Sequence, residues 1–393
     1  MVLKKDIKNL VTKARQKIVE QYSTILNRAP IDIYKEVIKT GSPSVNFCFG
    51  NGQGLPLGYT ALLWGPAKSG KTLLCNSMIG WLHQNDPDAV AIKINTEMRE
   101  EVQLSKEEEN SRFKVWGIDP DRYICFETNN PNDIFGLIEK DLPALIEDGL
   151  NVKLVVIDSL YGIQGRMSQE SADKNPIGDH ARTIQEGLKR ILPVQRKHKI
   201  AVLLTTHVRA DLSMNPYATT YGTVKFGTEN LKMQGSWGLK HFCEYFLFVA
   251  QDNTKDSKTD LLGNELFDDG FKDVIGNRER TGHKIRVTMT DSSCGTKGRT
   301  GLFTIDYRKG IINTHEEIFL LGVGRGIIER PNNMTYQYKE HKWKGKAEVL
   351  KTLAQDVILQ KQILTDLQEQ DRKGVFSTPE VPEFEEEIED SEL

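Results

Sequence analysis

Apolar residues fall along this chain in two rhythms. Unbroken runs at 59–64 (YTALLW), 89–95 (AVAIKIN), 153–159 (KLVVIDS), 200–206 (IAVLLTT) and 245–250 (YFLFVA) predict strands, because a strand covered on both faces needs no polar alternate. A further strand follows the turn at 117–128. Apolar positions spaced three and four apart at 73–83 and 181–198 predict helices between the strands. Strand and helix in alternation predict an α/β fold with a mainly parallel central sheet. Residues 277–290 and 301–311 read as two antiparallel strands that close it. The predicted core spans 36–313. Before it, residues 1–35 hold an amphipathic oligomerisation helix (Ile7, Leu10, Val11, Ala14, Ile18) and a linker. After it, residues 314–375 read as a small α+β C-terminal domain and 376–393 as a disordered tail.

Charge is divided unevenly. The net charge is −3, yet residues 380–392 carry eight carboxylates and no base, which leaves the rest of the chain at +5. Such a tail reads as solvated disorder or as a competitor with a polyanion partner for the mildly basic surface of the body. The five cysteines (Cys48, Cys75, Cys125, Cys243, Cys294) lack C-x-x-C spacing, as expected of a reduced cytosolic protein without structural zinc. With neither a membrane-length apolar run nor a secretory leader, the expectation is a soluble, cytoplasmic protein that takes no membrane partner.

The chemistry concentrates at strand ends. Gly65, Pro66, Ala67, Lys68, Ser69, Gly70, Lys71 and Thr72 fit G-x-x-x-x-G-K-[ST], between a strand and a helix that continues through Leu73. Such a loop turns backbone N–H groups and the helix N-terminus toward phosphates, adds the Lys71 charge and offers the Thr72 hydroxyl to Mg²⁺, so ATP with Mg²⁺ is the expected ligand. Lys71 is read here as a binding charge outside the core. Asp158 ends a later strand, where a carboxylate holds the metal through water. Glu97 ends another and is the candidate general base. His207, at the tip of the 200–206 strand, is either structural or a sensor of the γ-phosphate. The following 208–238 stretch interleaves Tyr217, Tyr221, Phe226 and Trp237 with Arg209, Lys225 and Lys232 and shows no sustained period. Two readings stand: a loop that stacks bases and neutralises phosphates, or a cover folded over the core.

With these parts in this order the chain resembles the RecA-type homologous recombinases, with the marks of a bacteriophage member, from about residue 37 to 354. VIKTGSPSVNFCFGNGQGLPLG and GPAKSGKT are similar to the family's lead-in and Walker A element, Glu97 falls at its catalytic glutamate, and VVIDS at Walker B. GDHARTIQEGLKRILPVQRKHKIAVLLTTH resembles the helix and strand that end in the γ-phosphate sensor, a histidine in the phage branch, as at His207. The same likeness makes 162–178 and 208–234 the two DNA-binding loops and adds Arg166 to the DNA-binding candidates. TDSSCGTKGR looks like the ATP cap of archaeal and eukaryotic recombinases, with Asp291 at the cap position and Lys297 and Arg299 as candidates to reach a neighbour's ATP. The paired lysines of bacterial members are not evident. LLGVGRGIIERPNNMTYQYKEHKWKGKAEVLKTL is similar to the family's C-terminal domain.

The resemblance implies a DNA-dependent ATPase that forms a helical homo-oligomeric filament on single-stranded DNA and pairs it with homologous duplex DNA for strand exchange in recombination and repair. It also implies single-strand-binding and mediator proteins as candidate partners, and the host cytoplasm as location if the chain is phage-encoded. Two rivals share features of this reading. A hexameric helicase has the same core but normally brings an arginine finger and a primase-binding N-terminal domain. A mediator without turnover is expected to have lost Lys71, Glu97 or Asp158, all of which are present.

Overall fold

Nine strands build the central sheet: β1 (Thr60–Trp64), β2 (Val90–Asn95), β3 (Tyr123–Glu127), β4 (Val152–Asp158), β5 (Ala201–Thr206), β6 (Tyr245–Gln251), β7 (Gly282–Ser292), β8 (Thr300–Asp306) and β9 (Gly310–Ile312). Their spatial order is β9-β8-β7-β6-β1-β5-β4-β2-β3. The pairs from β6 to β3 are parallel, and those from β6 to β9 antiparallel. The computed structural model describes residues 13, 35–50, 52–98, 113–166, 178–211, 223–226, 229–235, 237–266, 268–272 and 278–376. The expected helix within 1–35 (residue 13 apart), the charged 99–110 stretch, Tyr217, Tyr221 and the acidic tail lie outside the described residues.

Alternation within each strand explains the unbroken apolar runs. Ala61, Leu63, Ala91, Leu154, Val156, Leu203 and Leu247 face one core, with Leu74, Met78 and Leu82 of helix α2 (Lys71–Asn85). Their neighbours Leu62, Trp64, Ile92, Ile94, Val155, Ile157, Leu204 and Phe246 face a second core, with Ile184, Leu188 and Ile191 of helix α3 (Asp179–Lys197). Both faces are thus removed from water, so a strand inside needs no polar alternate.

Two expectations change in detail. The 301–311 stretch is two strands, because the Asp306 carboxylate accepts the backbone N–H groups of Arg308 (2.8 Å) and Lys309 (3.1 Å) and turns the chain between β8 and β9. The 43–49 segment, which follows GS in the lead-in and reads from sequence as a serine-capped turn, is a helix, α1 (Pro43–Phe49): Ser42 caps it through the Val45 N–H, and proline opens its first turn.

Beyond the sheet, α4 (Thr314–Gly324), an antiparallel sheet of Glu329–Asn332, Thr335–Tyr338 and His341–Lys344, α5 (Lys346–Gln355) and α6 (Val357–Phe376) surround a third core of Ile318, Tyr336, Trp343, Val349, Leu353 and Ile363. Asp371 of α6 is 1% exposed and receives both terminal nitrogens of Arg299 (2.7 and 2.8 Å) and Nη1 of Arg325 (2.9 Å). A buried carboxylate held by two guanidiniums ties this C-terminal part to the loop between β7 and β8, and the paired arginines hold its pKa below the usual carboxylate range against the opposing effect of burial.

Candidate functional site

The carboxyl ends of four adjacent parallel strands form the site. Register aligns Trp64 with Thr206 across β1 and β5, and Asn95 with Asp158 across β2 and β4. The residues that follow these ends therefore share one edge, where ligands bind in open parallel sheets. A cleft of about 480 Å³ lies there, lined by the 67–73 loop and helix start, Asn95, Glu97, Asp158, His207, Gln251, His283 and Tyr307.

The loop is held by what its residues lack. A side-chain carbon on Gly65 would lie 2.0 Å from the Val249 carbonyl oxygen, and one on Gly70 2.2 Å from Ile285 Cδ1. Gly70 also has φ +98° and opens α2, which has neither a side-chain cap nor an acidic residue in its first turn. The positive end of α2 is thereby left facing the cleft, as an anion requires. Lys71 Nζ donates to the carbonyls of Gly65 (3.0 Å) and Pro66 (2.8 Å). At 6% exposed it is a buried residue, which corrects the sequence-based view of it as a charge outside the core. Burial lowers its pKa, while the Asp158 and Glu97 carboxylates oppose that shift.

Asp158 is held from both sides. Thr72 Oγ1 donates to its Oδ2 (2.7 Å) and Thr205 Oγ1 to its Oδ1. A hydroxyl beside a carboxylate, both reaching the same cleft, is a donor set that suits a hard divalent cation such as Mg²⁺. Glu97 Oε1 accepts from Ser159 Oγ and from His207 Nε2, each at 2.6 Å. The second contact places a proton on Nε2 of His207. The carboxylate is thus oriented at two points while still lining the cleft. Sequence reading gave Ser159 little weight and missed Thr205, Asn95, Gln251, His283 and Tyr307. No short motif names these positions; they are assembled by strand order.

The described residues beyond His207 include a small antiparallel sheet. Its strands are Val208–Ala210, Glu229–Met233 and Thr223–Phe226, with the second in the middle. Leu231 and Met233 are buried, and with Val208 and Val224 they join the second core. Register sets Lys232 opposite Arg209 and Thr223, and Asn230 opposite Lys225. Because side chains alternate, Arg209, Lys225 and Lys232 share the other face. That sheet is fastened to the cleft: the Gln234 N–H donates to the His207 carbonyl (2.9 Å), and Thr206 Oγ1 to the Gln234 carbonyl (3.0 Å). One face of this sheet covers the core, and the other carries Arg209, Lys225 and Lys232.

Other candidates lie apart. Arg166 Nη1 pairs with Glu186 (3.0 Å). Phe226 ends a strand, and its side chain, like Tyr217 and Tyr221, lies outside what is described. Asp291 pairs in register with Phe246, whereas the cleft residue Gln251 pairs with Ile285, so Asp291 sits toward the opposite edge of the sheet, away from its own cleft. Of the two candidates to reach a neighbour, Arg299 is committed to Asp371 and the Phe47 carbonyl, while the Lys297 side chain is 70% exposed.

No family model matches the chain. It is 24% identical to the RecA protein of Wigglesworthia glossinidia brevipalpis over 375 residues, covering 94% of this chain and 98% of that one. It is 25% identical to the RecA protein of Thermotoga neapolitana over 341 residues (86% and 84% of the two chains), and 22% identical to that of Oleidesulfovibrio alaskensis over 328 residues (83% and 80%). The likeness is to RecA. It supports the RecA-type recombinase family, and the parallel sheet with its antiparallel extension and C-terminal part is a RecA-like core. Among the described residues of this RecA-like chain, no helix is long and apolar enough to cross a membrane.

Proposed function

We propose that this chain is an ATP-dependent DNA recombinase that polymerises on single-stranded DNA, pairs it with a homologous duplex and exchanges strands. One observation carries the reading: β5 is followed by His207, which touches Glu97 on one side and on the other continues directly into the sheet that presents Arg209, Lys225 and Lys232. Nucleotide chemistry and a polyanion surface thus meet at one residue, an arrangement that lets each bias the other.

In this reading residues 65–73 hold the phosphates of ATP, and Thr72 and Asp158 hold Mg²⁺, which when bound supplies charge neutralisation at those phosphates. Glu97, fixed by Ser159 and His207, orients the attacking water and accepts its proton at a carboxylate oxygen. Asp291 and Lys297 face a neighbouring copy, so ATP lies between protomers of a filament in the cytoplasm. Negative-stain microscopy with single-stranded DNA and a non-hydrolysable ATP analogue tests this. A helical filament is expected; closed rings would favour a helicase, and no assembly a mediator.

A further inference from the structure

Between the nucleotide cleft and the basic face lies a second hollow of about 440 Å³, lined by Tyr161, His180, Arg209, Gln234 and Gly235. Tyr161 is presented by a short turn, Leu160–Gly162, that follows Ser159 directly. The turn is anchored. Leu160 and Ile163 are buried on either side of it, and Ser159 exchanges hydrogen bonds with Thr96 Oγ1 (2.9 and 2.5 Å). His180, at the start of α3, bonds the Leu160 carbonyl through Nε2 (3.1 Å). On this fixed base Tyr161 is 56% exposed, which is unusual for a large aromatic on an anchored turn.

The other walls complete a pattern. Arg209 supplies a cation, and Gln234 supplies an amide whose Oε1 is buried without a hydrogen-bond partner among the described residues. A buried acceptor left unmatched points to a donor supplied from outside. An exposed ring, a cation and an amide around one hollow match a base, its phosphate and its polar edge. We propose that this hollow takes one base of a single DNA strand, stacked on Tyr161 with its phosphate beside Arg209. This deepens the recombinase reading and rests on it.

The position of Tyr161 gives the subsite a consequence. Its ring meets the His207 imidazole edge-on, with centroids 5.6 Å apart at 87°, and His207 in turn holds Glu97. A base on Tyr161 restrains the ring from the far side and so steadies the imidazole on the general base. Strands that carry bases therefore stimulate hydrolysis more than strands that carry only phosphates.

The test compares a mixed-sequence oligonucleotide with an abasic oligomer of equal length and charge, using the full chain and an ATP analogue. Wild type should bind the base-bearing strand more tightly. Tyr161→Leu should weaken that binding about tenfold, within the range for loss of one stacked base, leave the abasic strand unaffected, and lower the ratio of hydrolysis stimulated by the two strands. Tyr161→Phe, which keeps the ring, should behave as wild type. If Tyr161→Leu keeps the wild-type ratio of the two affinities, the subsite is wrong while the recombinase reading stands. If wild type binds neither strand, both fall.

Discussion

The cleft at the strand ends, proposed to hold nucleotide, and the basic face lie a few residues apart on one chain, yet they treat charge in opposite ways. In the cleft the charges of three residues are already engaged: Lys71 holds two carbonyls, Asp158 two hydroxyls, and Glu97 a serine and a histidine. On the basic face Arg209, Lys225 and Lys232 form no ion pair among the described residues. Groups that must act on a reacting atom gain from being fixed before it arrives. Cations that meet a polyanion gain from remaining hydrated and mobile, because the favourable term there is release of counterions. Preorganisation and availability are separate requirements, and His207 stands where they meet.

The most damaging way to break this contrast is Lys71→Ala. Hydrolysis should fall by at least about 10²–10³-fold, the loss typical of one charge-stabilising donor. Since Nζ also ties the Gly65 and Pro66 carbonyls, stability should drop by about 1–3 kcal/mol, the scale of a charged hydrogen bond. Steady-state turnover and thermal melting measure the two. Unaltered turnover would show that this cleft is not the nucleotide site.

Glu97→Gln sharpens the same side. The amide keeps an acceptor for Ser159 and His207 but has no basicity, so hydrolysis should fall by about 10²–10⁴-fold while ATP still binds. DNA-bound filaments should then outlast those of wild type in light scattering. Failure to assemble at all would make Glu97 a structural residue.

How much was legible follows from how each part is built. That Gly70 to Thr72 and Asp158 reach one cleft was readable, because the loop has a short fixed pattern between strand and helix and Asp158 ends an apolar strand. The two-faced core was readable because burial on both sides removes the polar alternate. The shared face of Arg209, Lys225 and Lys232 was not, since it depends on which strands pair and in what register, and the stretch has no sustained period to announce them. The pairing that commits Arg299 was hidden for a similar reason: its partner, Asp371, lies 72 positions away.

On the basic face the expected effect is smaller and different in kind. Arg209→Ala, Lys225→Ala and Lys232→Ala should each reduce the slope of log affinity against log salt by about 0.7 for a single strand, one phosphate's worth. DNA-independent hydrolysis should change little for Lys225→Ala and Lys232→Ala, whose side chains are not part of the cleft. Titrations at several salt concentrations decide it. Unchanged slopes in all three variants would leave this face as a solvated cover and send the search for DNA contacts elsewhere.

The smallest expected effect concerns a carboxyl in neither region, which shows what burial does when the compensation found in the cleft is missing. Glu317, in the first turn of α4, is fully buried; its Oε2 accepts from Ser42 Oγ (2.5 Å) and the Ser44 N–H (3.0 Å), while Oε1 has no partner among the described residues. Desolvation is the leading cause of its shift, and it raises the pKa from 4.5 to about 7 against the pull of those donors. The folded chain therefore holds a proton that the unfolded chain releases near 4.5. This contribution to stability is complete below about pH 4.5 and is lost as pH rises through about 7. Glu317→Gln keeps an acceptor for Ser42 and Ser44 but cannot ionise. Its melting temperature should match wild type near pH 5 and exceed it by a few degrees at pH 8. Parallel melting curves for the two proteins across that range would mean that Glu317 is ionised when folded, and that neutral donors alone can hold a buried carboxylate without the cations that surround Asp371.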